Sequence, residues 1–101
     1  MFQKLKQYKD LRDTAKQAQS VLETITVQAD GAKGKVGVVL NGNQEIIALD
    51  IDDSLLAPEH KKTIEEGVKE AMKEAMKKLQ REMFTKMKSG DLDMPDLSSL
   101  S

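Results

Sequence analysis

V-V-L-N-G-N-Q-E-I-I-A-L-D-I-D, running from Val38 to Asp52, decides how this chain is read. It holds two runs rich in β-branched and aliphatic residues on either side of Asn41-Gly42. Asn-Gly between such runs is the strongest short-range signal for a β-hairpin. A two-residue turn at Asn41-Gly42 sets Val38 opposite Glu45 and Val36 opposite Ile47. Val36, Val38, Leu40, Ile47, Leu49 and Ile51 then share one face of the ribbon. Val39, Ile46 and Ala48 keep the other face partly apolar, so both faces ask for cover. A hairpin alone is marginal in water.

Upstream, Thr24-Ile25-Thr26-Val27-Gln28-Ala29-Asp30 alternates β-branched residues and reads as a third strand. Asp30-Gly31-Ala32-Lys33-Gly34 forms the loop that joins it to the strand Lys35–Leu40. Before it, Phe2, Leu5, Tyr8, Leu11, Ala15, Ala18, Leu22 and Ile25 recur every three or four residues. That spacing predicts a long helix from residue 2 to about 24. Its stripe is narrow and partly Ala, which suits a close helical partner.

Downstream, Pro58 suits a first helical position, and Thr63-Ile64-Glu65-Glu66 has capping-box spacing. Either marks the start of a second long helix, which runs to about Lys88. Ile64, Val68, Ala71, Met72, Ala75, Met76, Leu79 and Met83 form its apolar stripe. Gly67 interrupts it at a cost of about 1 kcal/mol relative to Ala. It either permits a close backbone approach or marks a bend. Glu74–Lys78 and Glu82–Lys86 are spaced for ion pairs in the favoured orientation. Ser89-Gly90 closes the helix. The predicted architecture is α+β in the order α-β-β-β-α, one domain over residues 1–90. Residues 91–101 read as an acidic disordered tail.

The 101 residues are 33% charged and 39% hydrophobic, a balance that fits a soluble helical protein. Without Cys there are no disulfides or thiolate ligands. No apolar run approaches the roughly 20 residues that span a membrane, and no secretory h-region opens the chain. A cytoplasmic location is expected, with no membrane partner.

Catalysis has little to work with. His60 stands between Glu59 and Lys61 and reads as a solvated residue, since a general base needs a positioned partner. No phosphate loop of Walker or Rossmann spacing occurs. Asp50-Ile51-Asp52-Asp53 lacks the further carboxylates of a cation cage and reads as a strand end leading into a turn. No enzyme activity, cofactor, metal or small-molecule substrate is expected. Met72, Met76, Met83 and Met87 all fall on the second helix, and Met72, Met76 and Met83, on or beside its stripe, read as core or dimer seam more than as an adaptable groove.

Charge distribution is more telling than the net charge of −1. Residues 1–20 carry +3 and residues 61–90 carry +4, whereas residues 21–60 carry −5 and the tail −3. Both helices are basic and the middle is acidic. Lys9, Arg12 and Lys16 fall on one helical face, and Lys69, Lys73, Lys77 and Arg81 step by four along the second helix. Such stripes serve either as solvated faces or as contacts to phosphates. Phe2, Tyr8 and Phe84 are the only aromatics, too few for a base-stacking platform. Any nucleic acid partner is therefore expected to be double-stranded DNA held by its backbone.

Gly31-x-x-Gly34-x-Val36-x-Val38-x-x-Asn41-Gly42, followed by Ile47-x-Leu49-Asp50-Ile51-Asp52-x-Ser54-Leu55-Leu56, resembles the YbaB/EbfC family of bacterial nucleoid-associated proteins. Ala71-Met72-Lys73-Glu74-Ala75-Met76-Lys77-Lys78, Lys16-Gln17-Ala18-Gln19 and the stretch from Gly90 to Pro95-Asp96-Leu97 are similar to other segments of that family, in the same order. The resemblance implies a homodimer whose long helices project from a central sheet and bind DNA in the nucleoid. Carried onto this chain, the implied contacts are Lys4, Lys6, Lys9, Arg12 and Lys16, with Lys77, Lys78, Arg81, Lys86 and Lys88. Val36, Val38, Leu40, Ile46, Ile47 and Leu49 are the expected dimer interface. Asp53 stands where many relatives have Pro, and Ile47 and Ala48 stand where relatives can be basic. A structural or protein-interaction dimer without DNA binding is the alternative.

Overall fold

The computed structural model describes residues 2–90, with side-chain surroundings from residue 9 onward; residues 91–101, the expected acidic tail, lie outside them. The order is α1 (Phe2–Glu23), β1 (Thr26–Gly31), β2 (Val36–Asn41), β3 (Ile46–Ile51) and α2 (Lys61–Ser89). The strands make one antiparallel sheet in the order β1-β2-β3. The fold is α+β, as the sequence predicts.

α2 lies across one face of the sheet. Strand alternation points Ala29 and Gly31 of β1, with Val36, Val38 and Leu40 of β2, toward it. These meet Ala71 and Ala75, and Leu55 closes the cluster from the turn before α2. The two alanines keep the helix close to the sheet. The closest approach is at Gly31 and Gly67. A Cβ added at Gly31 would overlap the Gly67 carbonyl, and one at Gly67 would lie 2.9 Å from Ala32 Cβ. Of the two roles open to Gly67, close packing is the one observed.

Two expectations are corrected. The β2–β3 connection is not a two-residue turn. The Gln44 N–H donates to Asn41 O at 2.9 Å, and Gln44 adopts φ 63°. This is a three-residue loop ending in a left-handed residue. The longer loop shifts the register, so Val36 pairs with Ile51, Val38 with Leu49 and Leu40 with Ile46. Ile47 becomes the extra residue of a β-bulge between those pairs.

The residues expected at the dimer interface divide into two groups in the single chain. Val36, Val38 and Leu40 are buried beneath α2. Ile46, Ile47 and Leu49 remain exposed, at 51%, 53% and 48%. The reason is reach: α2 packs mainly on β1 and β2, and of the edge strand β3 only Ile51 packs against the core.

The other correction is that neither expected start of α2 holds. Pro58 opens a separate 3-10 turn, Pro58–His60, and α2 begins at Lys61. A second 3-10 turn, Asp53–Leu55, is capped by Asp52, whose carboxylate accepts from Ser54 N–H at 2.9 Å.

Candidate nucleic-acid interface

α1 touches the rest of the molecule mainly through its last turn. Gly42 N–H donates to Leu22 O at 2.9 Å, and the Asn43 side-chain amide donates to Gln19 O at 3.0 Å. Just after the helix, Ile25 is buried. Gly42 is needed here for room, not for a left-handed φ: a Cβ would lie 2.6 Å from Leu22 O. The loop is stiffened by Asn41, whose side-chain oxygen accepts from Asn43 N–H at 2.9 Å and Glu45 N–H at 3.1 Å. Farther along α1, Leu11 and Ala15 of the apolar stripe are exposed.

α2 leaves the same end of the sheet. Its early residues pack at Gly31, and its later ones, from Met76 through Met83, pass Gly42 and Gln44. At 29 residues it is about 44 Å long, so its last ten or so residues extend beyond the sheet. Two helical arms therefore project from one end of a small α/β body.

The expected DNA contacts distribute over both arms. Lys9, Arg12 and Lys16 are exposed on α1 at spacings of three and four, hence on one face. Lys4 and Lys6 lie on the first turns of α1, and their side chains fall outside the described residues. On α2, Lys77 and Arg81 line a shallow groove of about 460 Å³ with Gln80, Phe84 and Thr85. Lys88 is exposed, and Lys86 is half-buried and pairs with Glu82 at 3.6 Å. Lys78 turns back instead: its ammonium donates to Gln28 O on β1 at 2.8 Å. The expected Glu74–Lys78 pair is thereby replaced by Glu74–Lys77 at 3.6 Å. Neither pair is buried, and such pairs are weak, so a phosphate can compete for the lysines.

Sequence reasoning missed the residues that aim the arm. Gln19, Asn41 and Asn43 carry no charge and no apolar pattern. Their signal was the Asn-Gly-Asn run, read only as a turn. Phe84 was also missed as a groove wall. Among the described residues no group of three or more His, Asp or Glu side chains could hold a metal ion, and no helix is long and apolar enough to cross a membrane.

The family model described as the YbaB/EbfC DNA-binding family matches residues 1–93. The chain belongs to the YbaB/EbfC DNA-binding family. A protein named nucleoid-associated protein from Beijerinckia indica is 32% identical over 93 residues, covering 90% of this chain and 92% of that one. Another of the same name, from Syntrophobacter fumaroxidans, is 32% identical over 65 residues, 64% of this chain and 59% of that relative. The fold is shared with an uncharacterized protein from Helicobacter pylori whose crystal structure superposes with a TM-score of 0.58, at 23% identity, over 77% of this chain and 82% of that one.

Proposed function

We propose that this YbaB/EbfC protein is a nucleoid-associated, cytoplasmic homodimer that holds duplex DNA by its phosphates along the two helical arms. The observation that carries the reading is the pair of basic arms leaving one end of the body, with Lys9, Arg12 and Lys16 on one and Lys77, Arg81 and Lys88 on the other. Lysine and arginine heads on exposed helix faces neutralise phosphates without reading bases, so binding is largely sequence-tolerant. Lys4 and Lys6 of α1 and Lys86 of α2 add positive charge to the same two helices. Lys78 joins them only by giving up its bond to Gln28.

Homodimerisation is supported by what the single chain leaves uncovered. β3 is an edge strand with one unpaired side, and it displays Ile46, Ile47 and Leu49. An edge of that kind recruits another strand. The half-open stripe of α1 offers a second apolar surface. No chemistry of catalysis is required.

Titration of a duplex at several salt concentrations tests the reading. Log K is expected to fall steeply with log salt, by about 0.9 per phosphate contact. Charge reversal of Lys9, Arg12 and Lys16 together should flatten that slope by about 2–3. Absence of binding near ~50 mM salt, where such contacts are strong, would overturn it.

A further inference from the structure

Beside the cations, the projecting half of α2 carries an apolar groove of about 320 Å³. Met76, Leu79, Met83 and Met87 line it, and Gly42 and Gln44 of the β2–β3 loop close one end. Phe84 and Met87 are 69% and 66% exposed. Leu79 is buried at the groove floor and Met76 and Met83 are half-buried, so the open part is the Phe84–Met87 end.

The helix ends at Gly90, whose φ of 78° reverses the backbone sense and whose N–H donates to Lys86 O. This is the single-bond left-handed cap, which stops a helix and redirects the chain. The residues that follow are Asp91-Leu92-Asp93-Met94-Pro95-Asp96-Leu97-Ser98-Ser99-Leu100-Ser101. Aspartates alternate there with aliphatic residues, and no cation occurs. Opposite them, Lys77, Lys78, Arg81, Lys86 and Lys88 of α2 outnumber Glu82.

We propose that residues 91–101 dock back along α2 of their own chain, seating Leu92, Met94 and Leu97 in the methionine groove and setting the three aspartates against the α2 cations. The tail would then compete with DNA for that arm; this last step rests on the phosphate reading above.

Reach permits it. Met76 lies about 21 Å back along the helix from Gly90. Eleven extended residues span up to about 36–40 Å. A tether this short places the tail at millimolar effective concentration. Charge selects the tail over a second copy of α2. A two-fold contact between identical α2 ends would set lysines against lysines, and like charges across an interface disfavour association.

The chain has no cysteine, so Ser98→Cys provides a single site for a nitroxide label. The expected result in the full-length protein is broadening of the Met83 and Met87 methyl resonances, undiminished on dilution. Replacing Asp91, Asp93 and Asp96 with Asn should weaken it, and added duplex DNA should relieve it. The same triple variant should bind duplex more tightly, with a salt slope steeper by up to about 2.7, at 0.9 per freed phosphate contact. Sharp methyl resonances in the labelled protein would overturn the docking. So would equal broadening when labelled, unenriched copies are mixed with unlabelled, isotope-enriched ones, which would assign the groove to a second copy. Broadening that persists while DNA is bound would overturn the competition. Broadening with no DNA binding by either form would uphold the docking and reject the phosphate reading instead.

Discussion

At Asn41, one half of a side-chain amide accepts from two backbone N–H groups and the other half donates to Glu45 Oε1 at 3.2 Å. Asn41 is 6% exposed, so these bonds satisfy groups that solvent reaches poorly. Asn41-Gly42 was legible as a turn, but its length was not. The side-chain bonds favour a loop one residue longer, and Gln44 accepts a left-handed φ that its type disfavours. Pattern reading counts residue types and cannot see such bonds. Asp52 is a second case. The Ser54 hydroxyl, then the Ser54 N–H, hold its carboxyl below the ordinary aspartate range. A lowered folded-state value contributes stability at neutral pH that is lost as pH falls through that value. An NMR titration should show Asp52 as an early-ionising carboxylate, and Ser54→Ala should shift it upward.

Between elements, the tightest contact is Gly31 against Gly67. Both glycines were visible in the sequence, but their pairing across 36 positions was not. Gly67→Ala gains about 1 kcal/mol of helix propensity and loses about 1–3 kcal/mol to crowding at Ala32 and Val36. Gly31→Ala has no such compensation, because its Cβ meets helix backbone. Urea unfolding should therefore rank Gly31→Ala as the more damaging substitution, by about 1 kcal/mol or more. The foot of α1 behaves differently. Gly42→Val should push Leu22 off the loop while the α2-facing core stays intact. The expected signature is faster proteolysis within α1 with near-native protection of β2, read by hydrogen exchange. The helices and strands themselves were readable, because their apolar periods are clean.

The whole molecule separates a packed body from two charged arms along a 61 Å axis. At physiological salt the screening length is about 8 Å, so a phosphate at an arm responds to the local lysines and not to the net charge of −1. Core and edge positions should separate cleanly under mutation. Leu40→Ala should cost about 2–5 kcal/mol of stability, as for a buried leucine. Ile47→Lys with Leu49→Lys should leave the fold intact and yield monomers by sedimentation. The split of the expected interface residues into buried and exposed was not legible, because the sequence shows which faces are apolar, not which of them α2 already occupies. The Asn41–Glu45 loop joins these regions. Its far end continues directly into β3, while Gly42 and Asn43 grip the foot of α1. If a second strand paired with β3, strain there would be delivered, through three residues, to the base of a 22-residue lever. A rotation of a few degrees at that fulcrum moves the far end of α1 by about 2–3 Å, since the lever is roughly 33 Å long. The spacing between arms would then be set by how two copies meet, far from either arm.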